Sequence, residues 1–291
     1  MVMRGIILAG GAGTRLHPIT SAMSKQLLPV YDKPMIYYPL GTLMLAGITE
    51  ILVIVAPDQL ESFERLLGDG SSFGIHITYL AQPEPRGLPD AFIIGEEFIG
   101  NQPCALILGD NLFYGAGVGE SLRLVASDLE GAKVFCQHVM DPQRFGVVEI
   151  DAAGHPVSIQ EKPPHPRSNL AVTGLYFFDS QVSKLAKELM PSSRGELEIT
   201  DLLLRYMGRN QLKVQELERG TVWLDTGTFE SLAAASEFVR VVQKNQNFLI
   251  GCPEEIAWRM GYISDLQFRD LAKKHSKSPY GEYLISLSGG G

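Results

Sequence analysis

The chain has 291 residues, 45% of them hydrophobic and 20% charged, the balance of an ordinary globular protein rather than of a disordered chain. That length suits one large α/β domain with additions, or two small domains. A formal net charge of −8 argues against a nucleic-acid partner, which calls for a basic surface, so an anionic ligand would need its positive charges placed locally.

In chain order, residues 5–9 form an apolar run bounded by glycine, a buried strand, followed by the corner Gly10-Gly11-Ala12-Gly13-Thr14-Arg15. The spacing predicts a helix over 34–47, a doubly covered strand over 51–56, a helix over 59–67, a strand over 75–81, a helix over 91–98 and a short strand over 105–108. Strands alternating with helices of about ten residues indicate βαβ units. Strands are expected at 134–139, 145–150, 157–161 and 175–178. The run Lys162-Pro163-Pro164-His165-Pro166-Arg167, with its three prolines, excludes a helix or central strand. Beyond Asp225-Thr226-Gly227 the pattern turns helical, over 229–246, 254–260 and 265–275. A boundary near residue 228 therefore separates an α/β core (1–227) from a helical region (228–291). The terminal Ser-Gly-Gly-Gly reads as a flexible tail.

Cys104, Cys136 and Cys252 are widely spaced, odd in number and match no metal-ligand spacing, which suits reduced thiols in a cytoplasmic protein. No signal-peptide pattern and no apolar stretch of about 20 residues is present, so no membrane contact is expected.

The corner after the first strand is where open α/β sheets bind phosphates, because backbone N–H groups and a helix N-terminus converge there. The dinucleotide pattern G-x-G-x-x-G starts at Gly11 and Gly13 but meets Leu16 at its third position. The P-loop lysine is missing as well. What remains is a glycine corner carrying Arg15, with Lys25 ten residues on: a fork and a point charge suited to polyphosphate, or equally a plain turn with two solvated cations. Asp110 follows the strand at 105–108 and Asp225 follows Val222-Trp223-Leu224. Both fall at the carboxyl ends of strands, where two aspartates near a triphosphate suit Mg²⁺. As bland alternatives, Asp110 is a turn residue and Asp225 a helix N-cap.

Leu8-Ala-Gly-Gly-Ala-Gly-Thr-Arg-Leu16, Ser24-Lys-Gln-Leu-Leu-Pro29, Gly109-Asp-Asn111, Glu161-Lys-Pro163 and Trp223-Leu-Asp-Thr-Gly227 occur in this order. Together they resemble the sugar-1-phosphate nucleotidyltransferases over nearly the whole chain, and among them the branch that acts on dTTP. The resemblance implies a Rossmann-like three-layer α/β fold with a mixed, mostly parallel central sheet and a helical C-terminal extension. It implies Mg²⁺-dependent transfer of a thymidylyl group from dTTP to α-D-glucose 1-phosphate, giving dTDP-glucose for deoxysugars such as dTDP-L-rhamnose. The attacking phosphate is already ionised, so no general base is needed. The same phosphate machinery would serve a uridylyl- or adenylyltransferase, and a non-catalytic nucleotide-sugar sensor is the other alternative.

By matching position, the resemblance implies that Arg15 and Lys25 hold the triphosphate in a cradle formed with Leu8, Gly10, Gly11, Gly13 and Thr14. Asp110 and Asp225 bind Mg²⁺, and Lys162 grips the sugar phosphate. Gln26 and Gln82 read the thymine edge, with Pro85, Gly87 and Leu88 closing over the base. Gly146, Glu161, Val172 and Tyr176 line the sugar pocket. Short members of the family are homotetramers with a second nucleotide site at an interface, a region matched here by Tyr114, Gly115, Glu120, Glu255, Ile256 and Arg259. Phe145 stands where many relatives have tyrosine. The stretch Glu84-Pro85-Arg86-Gly87-Leu88-Pro89-Asp90 carries a second proline, and both departures bear on selectivity rather than reaction type.

Overall fold

The computed structural model describes residues 2–11 and 13–289; Ala12 of the glycine corner and the last two residues of the terminal tail lie outside it. The chain runs through β1 (Arg4–Ala9), β2 (Pro29–Val30), β3 (Lys33–Pro34), α1 (Tyr37–Leu45), β4 (Glu50–Val55), α2 (Leu60–Leu67), β5 (His76–Ala81), α3 (Asp90–Ile94), α4 (Glu96–Ile99) and β6 (Cys104–Leu108). Then follow β7 (Asn111–Tyr114), α5 (Val118–Ser127), β8 (Ala132–His138), β9 (Gly146–Ile150), β10 (Pro156–Glu161), β11 (Leu170–Phe178), α6 (Val182–Lys187), α7 (Ile199–Met207), β12 (Leu212–Glu216) and β13 (Val222–Asp225). Four helices close the chain: α8 (Phe229–Gln246), α9 (Pro253–Arg259), α10 (Asp265–Lys274) and α11 (Pro279–Ser288).

β5, β4, β1 and β6 lie side by side and parallel. β6 passes the sheet to antiparallel β11, which leads on to β9 and β10 on one side and to β8 and β12 on the other. Alternate residues serve opposite faces, as the pleat demands. Ile7, Ile51 and Val53 pack beneath α1, α2 and α5, while Ile6, Leu52 and Ile54 pack against α3, α4, α6 and α7. The result is three layers around one mixed sheet. β11 is buried along all nine residues. One edge of it pairs with β9 at Ala171 and with β6 from Leu175 onward. Between those points β6 and β9 diverge, and the opening beside Val172 and Gly174 becomes part of the site.

The βαβ half follows the expected order, with differences that have local causes. The helix expected at 91–98 is split at Gly95, where a Cβ would stand 2.9 Å from Leu52 Cδ2 on the sheet, so only glycine lets the chain pass this close. The first helix starts at Tyr37 rather than residue 34, because Pro34 pairs with Pro29 in the β2–β3 hairpin. β2, β3, β7, β12 and helices α5, α6, α7 and α11 were not anticipated. β13 is a strand, but it belongs to a separate two-stranded sheet with β7. Helix α8 begins at a capping box on Thr228, whose hydroxyl accepts from the Ser231 N–H. The helices after it do not stand apart: Ala257, Phe268, Leu271 and Leu284 share one hydrophobic cluster with β1 and β4. Cys104, Cys136 and Cys252 are free and buried. No helix among the described residues is long and apolar enough to cross a membrane.

Candidate active site

The corner after β1 is shaped by glycine at two points. A Cβ on Gly10 would stand 2.7 Å from Gln82 Oε1. Gly13 takes φ +61°, the left-handed region, and its carbonyl accepts from Thr20 Oγ1 at 2.8 Å. A 3₁₀ turn over Thr14–Leu16 follows, anchored by buried Leu16, and it presents exposed Arg15.

Lys25 Nζ forms an ion pair with Asp110 Oδ2, and both side chains are nearly buried. Asp110 sits in the turn between β6 and β7, where Asn111 Nδ2 donates to its Oδ1 at 3.0 Å. Burial pushes the Asp110 carboxyl up, but the charge and hydrogen bond of Lys25, helped by Asn111, outweigh it and hold the carboxyl below the usual carboxylate range. Pairing of β7 with β13 sets Asp225 opposite Asn111. The Asp110 carbonyl accepts from the Thr226 N–H at 3.1 Å and from its hydroxyl at 2.8 Å. The Asp225 carboxyl is pushed up by burial first and then by the Asp110 charge beside it. Arg144 Nη2 donates to Asp225 Oδ2 at 3.2 Å and Nη1 to Asp141 Oδ2 at 2.7 Å.

Opposite lies a second charged group. Lys162 follows β10 with φ +40°, a strained value for lysine, and its N–H donates to the Phe145 carbonyl at 3.0 Å. Its Nζ is 3.4 Å from Glu161 Oε1, and Arg194 Nη2 is 3.6 Å from the same oxygen. Arg194 also grips Glu198 with bonds of 3.1 and 2.6 Å. Gly146 leaves room here: a Cβ would stand 3.3 Å from Thr200 and 3.6 Å from Glu161 Oε2. Phe145 packs on Trp223 with ring centres 5.1 Å apart, occupying its place as an apolar wall.

Two adjoining cavities of about 760 and 810 Å³ share Arg15, Leu88, Asp110, Glu161 and Lys162. The first also takes in Gly146, Val172, Tyr176 and Asp225. The second takes in Leu8, Gly11, Lys25, Gln26 and Gly87. A third, about 760 Å³, lies behind the corner against Gly10, Gly11, Gln82 and Pro85. Gln26 and Gln82 thus face different cavities joined at Gly11. Gly13 and Thr14 line none of them and shape the corner from outside. Elsewhere, Tyr114, Gly115, Glu255, Ile256 and Arg259 line a cavity of about 960 Å³ under α9, which Glu120 does not reach.

Sequence reasoning missed Arg144, Arg194 and Asn111. Asn111 Oδ1 accepts from Trp223 Nε1 and from the Gly174 N–H, tying β7, β11 and β13 together behind Asp110. The signals were faint: one arginine in a Pro-Gln-Arg turn and one in an acidic loop. No group of three or more His, Cys, Asp or Glu able to hold a metal occurs among the described residues. The oxygen donors Asp110 and Asp225 are the pair suited to a hard cation that takes its other ligands from phosphate and water.

The profile of the family described as Nucleotidyl transferase matches residues 4–241. The chain belongs to that family. It is accordingly a nucleotidyltransferase, and the family's curated members include close relatives. A glucose-1-phosphate thymidylyltransferase of Neisseria meningitidis is 59% identical over 98% of this chain and 99% of its own length. One from Mycolicibacterium smegmatis is 56% identical over the same shares. Among solved structures, a Bacillus anthracis protein assigned as a glucose-1-phosphate thymidylyltransferase and solved with sucrose has TM-score 0.76 and 42% identity, covering 82% of this chain and 96% of its own. A UDP-glucose pyrophosphorylase bound to UDP-glucose has TM-score 0.74 at 26% identity, covering 83% of this chain and all of its own. The mixed three-layer fold is that of these family members.

Proposed function

We propose that the chain transfers a thymidylyl group from dTTP to α-D-glucose 1-phosphate, releasing pyrophosphate. The observation that carries this reading is the meeting of Lys25 with Asp110 and of Arg144 with Asp225 beside the glycine corner, facing Glu161 and Lys162. Near-full-length identity of 59% to a relative of that activity supports the choice of substrates.

The sugar phosphate is ionised at neutral pH and is itself the nucleophile. Its oxygen attacks the α-phosphorus in line; the bond to the β-phosphate breaks, and pyrophosphate leaves with the electron pair. Two anions about 4 Å apart repel by about 4 kcal/mol at an effective dielectric of 20, so positioning and charge neutralisation are the protein's task. Arg15 and Lys25 hold the triphosphate and the leaving pyrophosphate, and Lys162 holds the sugar phosphate. Arg144 and Arg194 stand ready to add charge. Glu161 accepts from sugar hydroxyls above Gly146, with Val172 and Tyr176 as the pocket wall. Gln26 and Gln82 face the base. Asp110 and Asp225 would hold Mg²⁺, which when bound neutralises developing charge on phosphate oxygens.

On the same resemblance we assign the cavity at Tyr114, Glu255 and Arg259 to a second nucleotide, and residues 228–291 to assembly of a cytoplasmic homotetramer that supplies dTDP-glucose for deoxysugars such as dTDP-L-rhamnose. Pyrophosphate release from glucose 1-phosphate with dTTP, UTP and ATP in turn tests the central reading. dTTP is expected to give the highest kcat/KM, and equal rates with all three would defeat the thymidylyl assignment.

A further inference from the structure

Gln82 lies just past β5 with its side chain buried, yet its amide faces two ways. Nε2 donates to Asp90 Oδ2 at 2.9 Å. Oε1 turns toward Gly10 and the cavity lined by Gly11, Pro83 and Pro85, and it accepts no hydrogen bond from a described residue. Asp90 is 1% exposed, and its other oxygen accepts from Arg86 Nη2 at 2.7 Å. A carboxylate can only accept hydrogen bonds, whereas a glutamine amide is a donor at one end and an acceptor at the other. Turned over, the amide would set oxygen against oxygen in a buried place, which the Gln82 and Asp90 pair excludes.

We propose that Asp90, steadied by Arg86, is a positioning residue that fixes the Gln82 amide with its acceptor toward the cavity, so that the site selects bases with a ring N–H on the pairing edge. Thymine and uracil carry that N–H; cytosine carries a lone pair there and meets another lone pair. This deepens the proposed nucleotide specificity and rests on Gln82 facing the base. It also gives a role to Arg86 and Asp90, two of the three charged residues in the stretch that carries the second proline.

Calorimetric titration with dTTP and dCTP, together with steady-state rates, tests the inference. The wild type should bind dTTP well ahead of dCTP. Asp90→Asn keeps the shape but lets the amide turn. The dTTP-to-dCTP preference should fall by about tenfold or more and KM for dTTP should rise. kcat at saturating dTTP and KM for glucose 1-phosphate should stay within about twofold. Arg86→Ala, at the exposed end, should shift the same preference by a smaller factor with the fold intact, and it decides the matter if Asp90→Asn does not fold. An unchanged preference in the folded variants, or a wild type that does not discriminate, overturns the proposal. A wild type that discriminates as expected but releases no pyrophosphate with glucose 1-phosphate would sink the substrate pair while supporting the role of Asp90.

Discussion

Replacing Asp225 by asparagine separates what the site costs the fold from what it contributes to turnover. The change is isosteric, and the new side-chain oxygen still accepts from the Gly227 N–H, now bound at 3.2 Å. The ion pair with Arg144 is lost, but those side chains are 38% and 19% exposed and Arg144 keeps Asp141, so the loss is about 0–1 kcal/mol. Against this, a charge that burial and Asp110 both disfavour is removed. The net gain should be about 1 kcal/mol, or about 2–4 °C in the unfolding midpoint without metal. The gain depends on pH in a fixed direction, because the Asp225 carboxyl titrates above its ordinary value in the fold. In acid it is protonated in both folded and unfolded chains, and wild type and variant are alike. As pH rises through the ordinary carboxyl value, the unfolded chain ionises first and the wild type loses ground. The gap is complete once the raised folded value is passed. Thermal unfolding in EDTA from about pH 4 to about pH 8 reads this directly. Turnover should fall by at least about a hundredfold. A variant less stable than wild type at neutral pH, or a gap that ignores pH, would refute the reasoning.

Arg15→Ala, at an exposed position, should cut kcat/KM by at least about a hundredfold in a pyrophosphate-release assay with an unchanged unfolding midpoint. Gly174→Ala would place a Cβ 2.5 Å from Asn111 Oδ1, pushing away the residue that braces Asp110; urea denaturation should show a loss of about 1–3 kcal/mol, with turnover falling as well. Gly87 has φ +100° and no room, a Cβ there falling 2.0 Å from the Leu197 carbonyl. Gly87→Ala should therefore raise KM for dTTP by about tenfold or more in steady-state kinetics, with a smaller change in KM for glucose 1-phosphate.

Local pattern was enough to read the parallel half of the sheet. β4 is an almost unbroken apolar run because helices cover both its faces, and the glycine corner shows itself because Gly10 is crowded by Gln82 and Gly13 takes a left-handed φ. The two aspartates were legible as strand ends. Their convergence was expected from those ends, but the contact that brings it about was not legible, since it depends on β7 pairing with β13 across more than a hundred residues, outside the main sheet. The helices α5, α6 and α7 escaped for a different reason. They lie among turns and loops, from which short amphipathic stretches do not stand out. Arg194 sits in a loop next to acidic neighbours, a local pattern that singles it out for nothing; only the fold brings Glu161 within its reach.

That dependence on tertiary contact explains how a chain of net charge −8 can present an anion site. Apart from exposed Arg15, its cations are paired with carboxylates in the described structure. Lys25 pairs with Asp110, Arg144 with Asp225, and Lys162 and Arg194 lie beside Glu161. A triphosphate and a sugar phosphate entering here would therefore exchange partners with carboxylates already in place, so less water need be stripped from the lysines and arginines when they bind. Such exchange favours ligands that bring their own cation, because every phosphate oxygen that takes a lysine or arginine leaves an aspartate in need of one. On this argument metal and nucleotide should bind cooperatively: dTTP affinity measured by calorimetry should rise with Mg²⁺ in the wild type and lose most of that dependence in Asp225→Asn.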